Sequence, residues 1–185
     1  MERIRAFIAV DIEGEMSEKL ARLAESLKAT GADVKVVEKE NFHITIRFLG
    51  NIPVESVDII EAIMRQAVVD VKPHKIRLKG VGTFGGRRPR VVWVGVEGDE
   101  ELKKIFERIE RELRRAGFKP EPKGFTAHVT LARVRSARGS EALIKWVNEM
   151  QDIDLGEVEV KSIRLKKSTL TPRGPIYETL REVEL

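Results

Sequence analysis

The hydrophobic and polar positions along the chain follow two periods, and each period predicts a different element. Short apolar or alternating runs predict strands, whereas apolar residues that recur every three to four positions predict helices. The strand pattern appears at 4–10, 34–37, 42–49, 75–81, 91–96, 125–134, 157–168 and 176–184. The helix pattern appears at 15–29, after Pro53, at 99–116, where the apolar stripe is clearest, and after Ser140.

The last predicted helix carries the most specific expectations about which residues face inward. Ser140 is a residue type that favours the N-cap position. The helical spacing behind it predicts an inward face made of Leu143, Ile144, Val147 and Met150. This helix therefore has a predicted start and a predicted buried side.

Strands and helices are mixed along the chain, and several strands alternate cleanly between apolar and polar residues. Such a pattern predicts an α+β fold with mostly antiparallel sheets and the helices outside. The chain has 185 residues, of which 42% are apolar. That size suits one domain, residues 1–185, or two lobes within it.

The amino-acid composition excludes several kinds of reactive and metal-binding site. The sequence contains no cysteine, which excludes disulfides, thiolate metal sites and a cysteine nucleophile. No stretch approaches the roughly 18 apolar residues of a membrane span, and the N-terminus lacks the long apolar run of a signal peptide. We therefore expect a cytoplasmic protein with no membrane partner.

Charged residues make up 35% of the chain, and asparagine and glutamine together number only five. This balance is typical of proteins from thermophiles. The net charge of +4 is compatible with a polyanionic partner, and equally with a well-solvated surface of mixed sign.

The most informative motif involves two of the three histidines. His43 and His128 each begin a His-x-Thr-apolar sequence inside a predicted strand. Because side chains alternate along a strand, each histidine shares a face with its threonine, Thr45 or Thr130. The intervening apolar residues point to the other face. If the two strands are neighbours, two imidazoles and two hydroxyls converge.

Such a site suits phosphoester chemistry. Imidazole titrates near neutral pH, so one histidine can act as general base and the other as general acid. Threonine hydroxyls can donate hydrogen bonds to phosphate oxygens. The alternative is a pair of structural histidines beside threonines that simply favour strands. A metal site is less favoured, because no carboxylate stands at ligand spacing, and we predict no metal and no cofactor.

These motifs resemble those of the two-histidine phosphoesterase superfamily. More narrowly, the chain resembles the RNA 2′,3′-cyclic phosphodiesterase family, historically called 2′–5′ RNA ligase. The resemblance extends over nearly the whole chain, and three stretches carry it: Arg5–Ala9, His43–Gly50 and Phe125–Arg133.

The resemblance implies a bilobal fold, with two mostly antiparallel sheets that line a central cleft. It implies hydrolysis of RNA 2′,3′-cyclic phosphate ends, for example on tRNA halves, to 2′-phosphomonoesters, with possible reversible 2′–5′ ligation. It also implies that His43 protonates the 3′ leaving oxygen, that His128 deprotonates water, and that Thr45 and Thr130 hold the phosphate. The sequence does not fix that direction. We expect a monomer.

Three further residues are candidates for substrate binding. Arg133 matches a family arginine near the substrate, although strict alternation puts it on the face opposite His128. Arg47 has the same parity as His43 and is predicted as a secondary phosphate contact. Phe84 lies in a Gly- and Arg-rich loop, residues 82–90, and can stack on a nucleobase. That loop can equally be a solvated hairpin.

Two other functions stay open at this stage. One is hydrolysis of a small cyclic phosphate, such as an ADP-ribose cyclic phosphate. The other is RNA binding without catalysis. The intact histidines and threonines favour an enzyme over a binding protein, because binding alone does not require an acid–base pair.

Overall fold

The computed structural model describes residues 2–185, which form nine strands and four helices. The strands are β1 (Arg3–Asp11), β2 (Val34–Val36), β3 (His43–Pro53), β4 (His74–Phe84), β5 (Val91–Glu97), β6 (His128–Val134), β7 (Asp154–Val160), β8 (Ser162–Thr171) and β9 (Gly174–Glu184). The helices are α1 (Gly14–Lys28), α2 (Val57–Ala67), α3 (Glu100–Arg115) and α4 (Ser140–Glu149). The α+β prediction is confirmed.

The strands form an antiparallel sheet in the order β7-β4-β5-β6-β3-β1-β8-β9, with β2 also paired to β6. At its centre, within the described part of the chain, β3 and β6 pair through Ile44 and Val129 alone. The two expected sheets are therefore two halves of one sheet, joined at this narrow contact. The strands that begin with His43 and His128 are the two that meet there.

The helices pack on one face of the sheet and cross between its halves. Helix α1 follows β1 in the chain but packs against β2 and β6 in the other half. Helix α3 follows β5 but packs against β3 and α2. Reading outward from the centre, β3-β1-β8-β9 mirrors β6-β5-β4-β7, so the molecule is approximately twofold symmetric. The hydrophobic core, which includes Ile44 and Val129, lies on the helix face.

Three sequence expectations about these elements are wrong in detail. The predicted strand at 157–168 is two strands, β7 and β8, which belong to opposite halves and are separated by Lys161. Continuous alternation hides this break, because Lys161 interrupts the pairing and not the polarity pattern. In α4, Ile144 is 48% exposed and Trp146 is buried instead. Ser140 makes no side-chain cap, since Gly139, at φ 74°, holds the N-cap position.

Candidate active site

The sheet face opposite the helices carries both histidine motifs. In β3, His43 and Thr45 are half-buried on this face, while Ile44 is fully buried in the core. In β6, His128 and Thr130 repeat the arrangement. The alternation therefore places the four side chains as the sequence predicts, on either side of the β3–β6 contact. We call this face the cleft face.

Both imidazole rings are oriented by the same backbone contact. The Nδ1 atom of His43 lies 2.7 Å from the carbonyl oxygen of Asn41, and Nδ1 of His128 lies 2.8 Å from that of Thr126. A carbonyl can only accept, so each Nδ1 carries the hydrogen. In the neutral ring, Nε2 is then the basic nitrogen. The Nε2 atom of His43 lies 3.1 Å from Oγ1 of Thr45.

Each imidazole also meets an aromatic ring edge-on. The rings of His43 and Tyr177 have centroids 5.4 Å apart at 88°, and those of His128 and Phe84 have centroids 5.0 Å apart at 89°. Phe7 packs on His43 as well, at 5.0 Å. Phe84 is thus brought to the site, as predicted. The sequence analysis missed Tyr177, which no motif marks as special.

The surroundings of His43 favour its neutral form. Burial lowers the pKa of His43, and the positive charges of Lys166 and His128 add to this effect. The carbonyl of Asn41 and the carboxylate of Asp11 oppose it. Asp11 pairs with His43 across β1 and β3, and its Oδ2 accepts a hydrogen bond from Nζ of Lys166 at 2.6 Å. His43 is therefore less basic than an ordinary imidazole, and the charge of His128 is one of the causes.

Arg133 reaches the cleft face because β6 contains a bulge. The pairing with β5 skips one residue between Thr130 and Ala132, so Ala132 is buried and Arg133 is exposed. A bulge reverses the alternation beyond it. The strict-parity expectation for Arg133 is consequently wrong, and its position near the site agrees with the family resemblance. Its positive charge acts on the Tyr177 hydroxyl, which places it near that side chain.

A matching bulge in β3 removes Arg47 from the cleft face. The pairing with β1 skips Ile46, so Ile46 and Arg47 both face the core. Nε of Arg47 donates to Oε2 of Glu110 at 2.9 Å, and the guanidinium also donates to the carbonyl of Lys119 at 2.6 Å. The prediction that Arg47 shares the face of His43 is wrong. Arg47 is 6% exposed and is a buried ion-pair partner of α3.

Phe48 takes the position in β3 that Arg133 takes in β6. It follows the bulge, is 40% exposed, and pairs with Phe7 on the cleft face. The guanidinium carbon of Arg5 lies 4.8 Å from the centre of its ring. The two halves of the cleft are thus unlike beyond the shared motif, since one presents an arginine and the other an aromatic ring with an arginine above it.

The aromatic side chains that pack beside His128 need a glycine beneath them. The indole of Trp93 lies directly over Gly82, where an added Cβ would come within 2.4 Å of the ring. Trp93 in turn contacts Phe84, with ring centroids 5.4 Å apart. Gly82 therefore leaves room for the ring that supports Phe84.

Within residues 2–185, no group of three or more histidine, aspartate or glutamate side chains is arranged to hold a metal ion. No helix in that part of the chain is long and apolar enough to cross a membrane.

Comparison with known proteins agrees with this geometry. A family model described as LigT-like phosphoesterase matches residues 10–93 and, a second time, residues 94–177. The chain belongs to the LigT-like phosphoesterases. The two matches divide the chain so that each contains one histidine motif, as the approximate twofold symmetry requires.

Several family members are similar over nearly the whole chain. An RNA 2′,3′-cyclic phosphodiesterase of Aeropyrum pernix is 50% identical over 170 residues, which cover 90% of this chain and 94% of that one. One of Methanocaldococcus jannaschii is 39% identical, covering 97% and 99%. Among solved structures, LigT of Escherichia coli with 3′-AMP matches with a TM-score of 0.82 at 21% identity, covering 100% and 99%. That last likeness shows the fold.

Proposed function

We propose that this protein is an RNA 2′,3′-cyclic phosphodiesterase that opens the cyclic phosphate by acid–base catalysis with His43 and His128. Membership of the LigT-like phosphoesterases and relatives of that name at up to 50% identity support the activity. The observation that carries the mechanism is the paired geometry. Two imidazoles lie on one face of the sheet, both with Nδ1 held by a carbonyl and Nε2 left for proton transfer.

In the proposed reaction, Nε2 of His128 takes a proton from water as the water oxygen attacks phosphorus. The bond from phosphorus to the 3′ oxygen breaks, and Nε2 of His43 gives that oxygen its proton. The products are a 2′-phosphomonoester and a free 3′ hydroxyl. Thr45, Thr130 and Arg133 bind the non-bridging oxygens and offset the charge that develops there, so the reaction requires no metal ion.

The low proton affinity of His43 in the free protein is compatible with its role as the acid. Burial holds its pKa below the usual value. A bound cyclic phosphate carries a negative charge, and a nearby anion favours the protonated imidazole. Substrate binding therefore raises the His43 pKa and charges the group that must donate. In the direction of ligation the two roles reverse.

A direct test uses a short RNA that ends in a 2′,3′-cyclic phosphate, in the presence of EDTA. We expect the wild type to form a 2′-phosphate end, and His43→Ala and His128→Ala each to lose at least about a hundredfold in kcat/KM. Lys145→Gln, an exposed change on α4, serves as a control. An untouched cyclic end with wild type would argue against the RNA assignment. Small cyclic phosphates, such as an ADP-ribose cyclic phosphate, would then be the next substrates to test.

RNA binding without catalysis makes the opposite prediction for the same variants. His128→Ala would then leave the affinity for RNA unchanged, and wild type would show no turnover. The orientation of both Nε2 atoms favours catalysis over this alternative. We further propose that the chain acts as one bilobal domain and as a monomer, because both histidine motifs come from the same chain.

A further inference from the structure

Two cations face each other across neighbouring strands beside the active site. Lys35 of β2 is the direct pairing partner of Arg133 of β6. Residues paired in this way project from the same face of a sheet, so Lys35 joins Arg133 on the cleft face. Like charges directly opposite each other destabilise a sheet. An anion bound between them would remove that repulsion.

More cations adjoin this pair on both sides. Nζ of Lys35 donates to the carbonyl of Arg173, at the tip of the β8–β9 hairpin, at 3.0 Å. The N–H of Val134 donates to the carbonyl of Arg90, at the end of the β4–β5 loop, at 2.8 Å. That loop also carries two exposed arginines. We call the whole set the cationic strip, which consists of Lys35, Arg87, Arg88, Arg90, Arg133 and Arg173.

The cationic strip has no acidic partners of its own. Among the described residues, no carboxylate oxygen lies within 4.0 Å of a charged nitrogen of any of its six members. Many arginines elsewhere do have carboxylate partners: Arg164 contacts three carboxylates, and Arg77 pairs with Asp154. A merely solvated surface would mix signs, whereas this one concentrates unpaired positive charge next to a proposed phosphate ligand.

We propose that the cationic strip binds the backbone phosphates of single-stranded RNA that lie 5′ to the terminal nucleotide. The inference rests on the proposed function, since a cyclic phosphate is a 3′ end and all the remaining RNA lies on its 5′ side. Arg133 belongs to both the reaction site and the cationic strip, so the RNA strand runs from the two histidines along the strip. The enzyme therefore prefers an RNA chain to a cyclic mononucleotide.

The test compares two substrates that end in the same nucleotide 2′,3′-cyclic phosphate: the mononucleotide and an RNA of about eight nucleotides. The variant is Arg88→Gln/Arg173→Gln, which removes two exposed charges outside the catalytic group. We expect kcat/KM on the RNA to fall roughly tenfold, while kcat/KM on the mononucleotide stays within about twofold. The salt dependence on the RNA should also become shallower, by about 1.4 in the slope of log(kcat/KM) against log[salt].

The control is Lys28→Gln/Lys145→Gln, which removes the same charge from exposed positions on α1 and α4, on the helix face. It should change neither substrate. An Arg88→Lys/Arg173→Lys variant should recover most of the RNA rate, because it restores the charge. Equal losses on both substrates, or no loss on the RNA, would overturn the proposal.

Failure of the proposed function would look different. Wild type would then hydrolyse neither substrate. Fluorescence anisotropy with the same RNA would then decide whether the cationic strip binds RNA. Weaker, less salt-dependent binding by Arg88→Gln/Arg173→Gln than by the helix-face control would support the strip without the enzyme. Equal binding by both would overturn it.

Discussion

At the scale of single residues, the two histidines share a motif and a backbone contact. Both Nδ1 atoms are held by a carbonyl two residues earlier in the chain. The pKa of His43 is lowered, first by burial and then by neighbouring charges that include Lys166. This shift therefore comes from what packs around the strand and not from the motif.

Replacing Lys166 should raise the pKa of His43. In Lys166→Met, a positive charge that lowers this pKa is lost, and the carboxylate of Asp11, which raises it, no longer has Lys166 as a partner. Both changes favour the imidazolium. NMR titration of the His43 ring measures the shift, and Lys145→Met provides a control for charge alone. A His43 pKa that stays fixed or falls would contradict this account.

His43 also links the stability of the protein to pH. Because the folded-state pKa of His43 lies below its unfolded value, the unfolded chain binds more protons as pH falls. The ionisation of His43 does not affect the free energy of unfolding above its unfolded-state pKa, about 6.5, and it destabilises the folded protein below that pH. We expect His43→Gln to flatten the loss of unfolding free energy between about pH 7 and pH 5, measured by urea titration at each pH.

Arg47 should matter to stability and not to phosphate binding. Its ion pair with Glu110 is almost fully buried, and the Glu110 carboxylate keeps a low pKa because contacts led by Arg47 outweigh the cost of burial. Arg47→Met leaves a buried carboxylate without its main partner, so we expect a loss of about 3–5 kcal/mol in the free energy of unfolding. Denaturant titration measures it.

The double variant Arg47→Met/Glu110→Leu is the matched control for that prediction. It removes both charges and should recover most of the lost stability. Well below the unfolding temperature, kcat/KM of folded Arg47→Met should stay within a few-fold of wild type. A hundredfold loss of kcat/KM in the folded Arg47→Met variant would show instead that Arg47 contacts the substrate.

At the scale of elements, β-bulges and a hairpin decide which side chains enter the cleft. In both β3 and β6, the residue directly after the threonine is skipped in the pairing with the neighbouring strand. The alternation is reversed beyond that bulge, which exposes Phe48 and Arg133. The β8–β9 hairpin pairs with β1 only as far as Ser168. Beyond it, the hairpin reaches across to β2 and to the turn before His43. Tyr177 is thereby brought against His43.

Asn41 joins that hairpin to the catalytic strand. Its carbonyl faces His43, while its Nδ2 donates to the carbonyl of Pro175 at 3.2 Å. Asn41→Ala keeps the first contact and removes the second, so global stability should fall by only about 1 kcal/mol. Amide hydrogen exchange at 169–176 should become faster. The control is Asn148→Ala, an exposed change on α4. Unchanged exchange in the hairpin would contradict the anchoring role.

At the scale of the whole molecule, the helices tie the two halves together. Although the sheet halves meet through a narrow contact, α1 and α3 each pack against the half opposite to the strand that precedes them in the chain. Neither half therefore completes its core alone. The active site lies at the junction, with one motif supplied by each half.

We expect this crossing to make unfolding a single transition. Trp93 and Trp146 both lie in the half that contains β6, while far-UV circular dichroism reports on all helices and strands. Guanidinium titrations followed by tryptophan fluorescence and by circular dichroism should therefore coincide. A later or earlier second step seen only by circular dichroism would show that the halves unfold independently.

The sequence by itself determined the elements and the chemical pair. Periodicity predicted the helices and nearly all strands, because burial on one side imposes a repeat that local residues carry. Alternation correctly placed His43 with Thr45 and His128 with Thr130 on one face, since each pair is separated by one residue in regular strand. The motif resemblance anticipated the family that the comparisons show.

Only the tertiary structure decided what surrounds that pair. A bulge depends on how neighbouring strands pair, so no local pattern could reveal that Arg47 turns to the core and Arg133 to the cleft. Tyr177 lies far from both motifs in sequence and reaches the site through a hairpin, and Lys35 meets the distant Arg133 through a short strand. The pKa of His43 is likewise set by burial and by charges from other strands, which exist only once the chain has folded.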